Sequence, residues 1–150
     1  MIAVALIIAA TINVACSNDN CVGNSTGIPL AAFYHENTSV TLNGITVYGI
    51  GAPNDSAIIR ESNASQVYMP FRIGTGNCQY VLDYNIDGTA NDTLTFEYDA
   101  IPYFESLECG AMYNFKINNY SHTTNAIDSV IINDPMITNA DVVSIKIYMR

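Results

Sequence analysis

Positive charge is scarce in this chain. Lysine and arginine together number five, against fourteen acids, and the formal net charge is -9. A nucleic-acid-binding face must replace phosphate counterions with clustered basic side chains, so that class of partner is excluded. A polybasic helix lying on a membrane surface is excluded on the same ground. Charged residues of both signs make up only 13%, while hydrophobic residues make up 49%, so long disorder is not expected. Tryptophan is absent. No apolar run reaches the ~20 residues of a bilayer-spanning helix. No stretch sustains the 3.6-residue period of an amphipathic helix. A dinucleotide fingerprint, a phosphate-cradling glycine loop and a nucleophile elbow are all missing. No internal repeat of useful length appears, and 150 residues suit one domain.

What is present begins with an address. Residues 1–15 read MIAVALIIAATINVA, apolar and uncharged, and stop at Cys16. The run suits the apolar core of a secretory signal. It ends in a small residue, Ala15, and Cys16 is followed by the polar Ser17-Asn18-Asp19-Asn20. This arrangement resembles a bacterial lipoprotein signal, in which the cysteine becomes the new N-terminus and carries the lipid. The resemblance implies cleavage before Cys16 and attachment to the membrane through several acyl chains, enough for stable anchoring. Asn13 stands where that pattern prefers leucine, and the leader has no basic residue. Residues 16–29, rich in Ser, Asn and Gly, read as a flexible tether.

From residue 30 to 150 the texture is that of a single β domain. Apolar and polar residues alternate in Leu94-Phe96-Tyr98, in Tyr113-Phe115-Ile117 and in Val143-Ile145-Ile147-Met149. A period of two over short runs means strands with one buried face. Further strands are expected at 30–35, 44–50, 56–60, 66–72, 78–85 and 127–132. Turns are expected at Asn43-Gly44, Ala52-Pro53-Asn54-Asp55, Gly74-Thr75-Gly76-Asn77, Asp87-Gly88 and Asn133-Asp134-Pro135, where Gly and Asn supply positive φ. Many short strands at regular spacing predict an all-β, antiparallel two-sheet sandwich, with an immunoglobulin-like arrangement as one option and a small barrel as the rival.

Cysteines stand at 16, 21, 78 and 109. With Cys16 lipidated, three remain for an oxidising compartment. The favoured disulfide joins Cys21 to Cys109, pinning the tether to the domain and leaving Cys78 free and buried. Cys78 with Cys109 is the alternative. No close cysteine pair with histidine partners suggests zinc, and no cofactor is expected. Asp83-Tyr84-Asn85-Ile86-Asp87-Gly88 fits the first half of a calcium loop, but Leu94 stands where the twelfth-position glutamate should be, so a hairpin turn is the better reading. Ser106, His122 and Asp128 could be assembled into a hydrolytic triad, and His35 is the other histidine, yet nothing around them suggests an active site. Ten tyrosines could stack on sugar rings or simply fill half-buried strand positions.

Three tripeptides share one form: Asp55-Ser56-Ala57, Asp92-Thr93-Leu94 and Asp128-Ser129-Val130. They resemble the acceptor motif of the general O-glycosylation system of Bacteroidota, which implies sugar on Ser56, Thr93 or Ser129. The bland reading is that Asp-Ser/Thr opens strands after turns.

The tether with Cys16 and Cys21 is followed in order by ITVYGIGAPNDSAI (45–58), QVYMPF (66–71), DTLTFEY (92–98), YFESLECG (103–110), TTNAIDSVII (123–132) and SIKIYM (144–149). Together they resemble a family of small uncharacterised lipoproteins from Bacteroidota, catalogued as a domain of unknown function. The resemblance implies an envelope protein held to the outer membrane by lipid, with no activity attached. Surface-exported lipoproteins of this group carry a run of acids after the lipidated cysteine. Here only Asp19 is acidic in Ser17-Asn18-Asp19-Asn20, so the periplasmic face is expected. The expected role is a non-enzymatic binding or structural module, with an envelope protein or glycan as partner. A carbohydrate-binding module using exposed tyrosines is the alternative.

Overall fold

The computed structural model describes residues 26–104 and 109–150. Among these residues there are eleven strands: β1 (Leu30–His35), β2 (Thr38–Ser39), β3 (Leu42–Gly49), β4 (Ala57–Ala64), β5 (Gln66–Tyr68), β6 (Asn77–Asp83), β7 (Asp92–Phe104), β8 (Ala111–His122), β9 (Ile127–Ile132), β10 (Met136–Ile137) and β11 (Val143–Met149). A short 3-10 turn at Pro53–Asp55 separates β3 from β4. Two sheets form. One runs β10-β8-β7-β6-β3-β4; the other runs β2-β1-β11-β9, with β5 beside the first half of β1. The sequence expectation of an all-β two-sheet sandwich holds, and two separate sheets replace the barrel.

The alternation has the meaning expected of it. Leu94, Phe96 and Tyr98 of β7 face inward, as do Phe115 and Ile117 of β8 and Ile145 and Ile147 of β11. Phe71 plugs the centre. It stacks on Tyr98 with centroids 4.2 Å apart, and meets Phe115 edge-on at 5.6 Å and Phe96 at 5.5 Å. Offset and edge-to-face contacts of this kind suit the ring quadrupoles.

Three features differ from the expectation. All described pairings are antiparallel except β1 with β11, which run parallel from Leu30↔Val143 to Tyr34↔Tyr148. Period-two alternation reports which face is buried and carries no direction for the partner strand. Asn43-Gly44 is not a hairpin turn. It lies inside β3, with Gly44 at φ 67 and its N–H on Asn63 Oδ1 at 3.0 Å. The β1–β2 turn is instead Glu36-Asn37, with Glu36 at φ 55. Finally, β7 and β8 are much longer than 94–98 and 113–117. Their pairing continues to Phe104↔Ala111, whereas β6 covers β7 only from Asp92 to Glu97. Pro102 is tolerated because that edge of β7 has no ladder there.

The segment read as a tether is already docked where it is described. Gly27 N–H donates to Tyr113 C=O at 2.7 Å, and Met69 N–H donates to Pro29 C=O at 2.9 Å. A Cβ on Gly27 would sit 2.7 Å from the Ile137 carbonyl oxygen, so only glycine fits against β10. Thr26 Oγ1 lies 3.9 Å from the Met112 sulfur. With Thr26 beside Met112 and Gly27 beside Tyr113, the chain runs alongside the start of β8.

Candidate functional site

The most strongly built polar feature is internal. Asp92, at the head of β7, is fully buried, and its carboxylate accepts five hydrogen bonds. Oδ1 takes Thr123 Oγ1–H at 2.6 Å and Asn125 N–H at 2.8 Å. Oδ2 takes the Tyr84 hydroxyl at 2.8 Å, Ala126 N–H at 2.8 Å and Ile127 N–H at 3.0 Å. Burial pushes this carboxyl's pKa up, but the bonds from Thr123, Asn125, Ala126 and Tyr84 outweigh it, and the group stays below the usual aspartate value. Asp92 thereby clasps the β8–β9 crossover, which joins the two sheets. The carboxylate's oxygens are saturated, so this is a structural clamp.

A second internal set holds the 70–77 loop. The Tyr98 hydroxyl donates to Arg72 C=O at 2.8 Å and accepts Arg72 N–H at 2.9 Å, with Thr75 Oγ1 at 3.3 Å. The Tyr80 hydroxyl donates to Pro70 C=O. Burial raises both phenols. Tyr98→Phe is therefore expected to lower stability by about 1–2 kcal/mol while leaving the stacked ring in place. The matching observation is faster amide exchange confined to residues 71–77.

An open site lies on the outer face of the six-stranded sheet. A cavity of about 340 Å³ is lined by Thr46, Tyr48, Ala57, Arg60, Glu61, Asp83 and Asn85. Its shape comes from β4. Ile45 pairs with Ser62 and Val47 with Ile59, so Arg60 and Glu61 together oppose Thr46 alone. This is a β-bulge, and two more register breaks flank it. Glu61 takes φ 45, a left-handed conformation costly for a residue with a Cβ. The Thr46 hydroxyl fixes it by accepting Glu61 N–H and Asn85 Nδ2–H, each at 3.0 Å. Asn85 Nδ2 also donates to Gly44 C=O at 2.6 Å, and Asp83 Oδ1 accepts Asn85 N–H at 2.9 Å. Four hydrogen bonds thus tie the floor together. Arg60 and Glu61 are exposed above it, and Tyr48 is half-buried. Neither serine, cysteine nor histidine lines the cavity. The arrangement offers donors, acceptors and a ring, and suits binding.

The residues singled out by sequence fall in different places. Cys16, Cys21 and Ser106 lie outside the described residues. Cys78 is free and buried inside β6, which removes the Cys78–Cys109 pairing. Burial pushes its thiol up to about 11. Cys109 is not among the free cysteines. The Asp83–Gly88 segment is a loop anchor. Thr89 N–H bonds Ile86 C=O at 3.0 Å and Gly88 takes φ 81, so the expected turn is there, while the twelfth position, Leu94, is core. Among the described residues no group of three or more His, Cys, Asp and Glu side chains gathers as a metal site. His35 is exposed at the end of β1. His122 Nδ1 lies 2.9 Å from Thr123 C=O. Asp128 is exposed on β9, in the other sheet.

Of the acceptor candidates, Ser56 is exposed, whereas Thr93 and Ser129 are half-buried. The aspartate of the Thr93 motif is the buried clamp Asp92. The tyrosines divide as well. Tyr80, Tyr84 and Tyr98 are core. Tyr68 and Tyr120 are exposed, with hydroxyls bound to Asp141 and to Val130 C=O. Tyr34 and Tyr148 pair at 5.6 Å on the outer face of the five-stranded sheet, with Lys146 Nζ 5.7 Å from the Tyr34 ring. Sequence reasoning missed the β3–β4 cavity. Its only signal was Asn43-Gly44, a positive-φ dipeptide inside a strand-like run.

Fold and site define, among the described residues, an all-β sandwich with a structural buried carboxylate and a bulge-shaped polar cavity. The chain belongs to a family of unknown function (DUF6452), matched over residues 44–149. The match takes in the cavity, the Asp92 clamp and both long strands, and begins after β1 and β2. No curated protein and no solved structure matches the chain.

Proposed function

We propose that this protein is a non-enzymatic lipoprotein of a bacterial envelope, in Bacteroidota by the resemblance of its segments. It is anchored through Cys16 to the outer membrane, on the periplasmic face, and presents a binding sandwich to an envelope partner. The observation that carries the reading is the leader itself: fifteen uncharged residues, Ala15, then Cys16 and a polar tether. The geometry at the other end of that tether supports it. Thr26 lies beside Met112, three positions from Cys109, and Cys21 stands five positions before Thr26. An extended stretch of that length reaches about 17 Å, which puts a Cys21–Cys109 disulfide within the chain's span. Such a disulfide would pin the tether to the domain.

Ser56, exposed after the 3-10 turn, is the best placed of the sugar acceptors, and Ser129 beside Tyr148 is the next. The test is fractionation with a clickable fatty acid in the native host. The full chain is expected to take the label and sediment with outer membranes. Cys16→Ser should lose the label and remain unprocessed. A wild-type chain that is unlabelled and soluble in the cytosol overturns the reading.

The glycan-binding alternative gains from one observation, the cavity over β3, β4 and β6, which combines a tyrosine with polar side chains.

A further inference from the structure

We propose that the cavity between β3, β4 and the end of β6 binds a neutral saccharide unit. This names a ligand class for the binding-module reading and rests on it. The volume, about 340 Å³, falls at the small end of the ~300–1,000 Å³ typical of small-molecule sites, enough for one or two sugar rings.

The chemistry selects among small ligands. Arg60 supplies five N–H donors in a fixed fork, and Glu61 and Asp83 supply carboxylate acceptors. Vicinal hydroxyls donate and accept at once, so a polyol satisfies both kinds of group. The C–H face of a pyranose packs against the Tyr48 ring and the Ala57 methyl. An anion would meet two carboxylates, in a chain whose formal net charge is already -9. A cation would meet the Arg60 guanidinium.

The backbone gives the second, independent argument. Blunting an exposed edge strand takes one bulge, and β4 has three register breaks against β3. The middle one turns two consecutive charged residues, Arg60 and Glu61, toward one threonine. It also holds Glu61 at φ 45, a conformation that persists only where the surroundings enforce it. Here Thr46 and Asn85 enforce it. Both belong to the cavity lining, so the strained backbone and the site are one construction.

Ligand-observed NMR on the detergent-solubilised full chain provides the test. The probes are mono- to tetrasaccharides of glucose, galactose, mannose and N-acetylglucosamine, with glycine and inorganic phosphate as zwitterionic and anionic controls. At least one saccharide is expected to bind, and neither control. Arg60→Ala and Tyr48→Ala should each weaken that binding at least tenfold. Glu61→Gly should weaken it too, with a melting temperature no lower than wild type, because glycine relieves the positive φ; an unfolded variant cannot give that result. Tyr34→Ala, on the opposite sheet, should bind as wild type. The proposal is overturned by binding to none of the saccharides, by binding of a control instead, or by saccharide binding that depends on Tyr34 and ignores Arg60. Each of these leaves lipid anchoring untouched, whereas an unlabelled Cys16 would leave this site untouched.

Discussion

Asp92→Ala is expected to lower the unfolding free energy by about 3–5 kcal/mol. The carboxylate is buried, and its removal leaves the Tyr84 hydroxyl and the Ile127 N–H without a partner in the core. It also frees Thr123, Asn125 and Ala126, which hold the crossover from β8 to β9. Asp92→Asn keeps the shape but turns an NH2 group toward donors, and should cost about half as much. Denaturant unfolding measures both.

The pH dependence follows from the sign of the shift. The folded-state pKa of Asp92 is lowered, so its contribution is present in full above the unfolded value of about 3.9 and fades as pH falls through that value toward the folded one. The stability gap between wild type and Asp92→Asn is therefore expected to be constant from pH 5 to 7 and to narrow below pH 4. A gap that stays constant down to pH 2 would contradict the clamp.

The second large effect concerns the cysteines. On the proposed Cys21–Cys109 disulfide, removing either cysteine is expected to cost about 4 kcal/mol, because the closed loop would span most of the domain and constrain the unfolded chain. Cys21→Ser and Cys109→Ser should be equal in effect and no worse when combined, since one bond is lost in each case. Thiol counting gives the independent check. Folded, unreduced mature protein should show almost no reactive thiol, because Cys78 is buried and its pKa is pushed up to about 11. Denaturation without reductant should expose one, and reduction should raise the count to three. Three thiols without reductant would remove the disulfide.

The buried face of β7, β8 and β11 was legible because alternation is a local signal, and Leu94, Phe96, Ile145 and Ile147 are core as it implied. The turn at Asp87-Gly88 was legible for a similar reason: a glycine after Asp marks a local turn that accepts positive φ. What depends on distant partners was not legible. The β1–β11 pairing joins residues more than a hundred positions apart, and nothing in either strand states its direction. Asp92 looked like half of an acceptor motif because four of its five donors come from residues 123–127. The cavity depends on a bulge, and a bulge is a mismatch between two strands that neither contains alone. Pro102 hid the length of β7, since proline argues against a strand unless one edge is known to be open.

The most direct test of the account is the intact mass of the protein purified from membranes of its native host. The account predicts a chain that begins at Cys16, carries acyl chains on that residue, and loses two hydrogens' mass relative to the reduced form through the Cys21–Cys109 bond. A chain that still begins at Met1, or that begins at an unmodified Cys16, would contradict it.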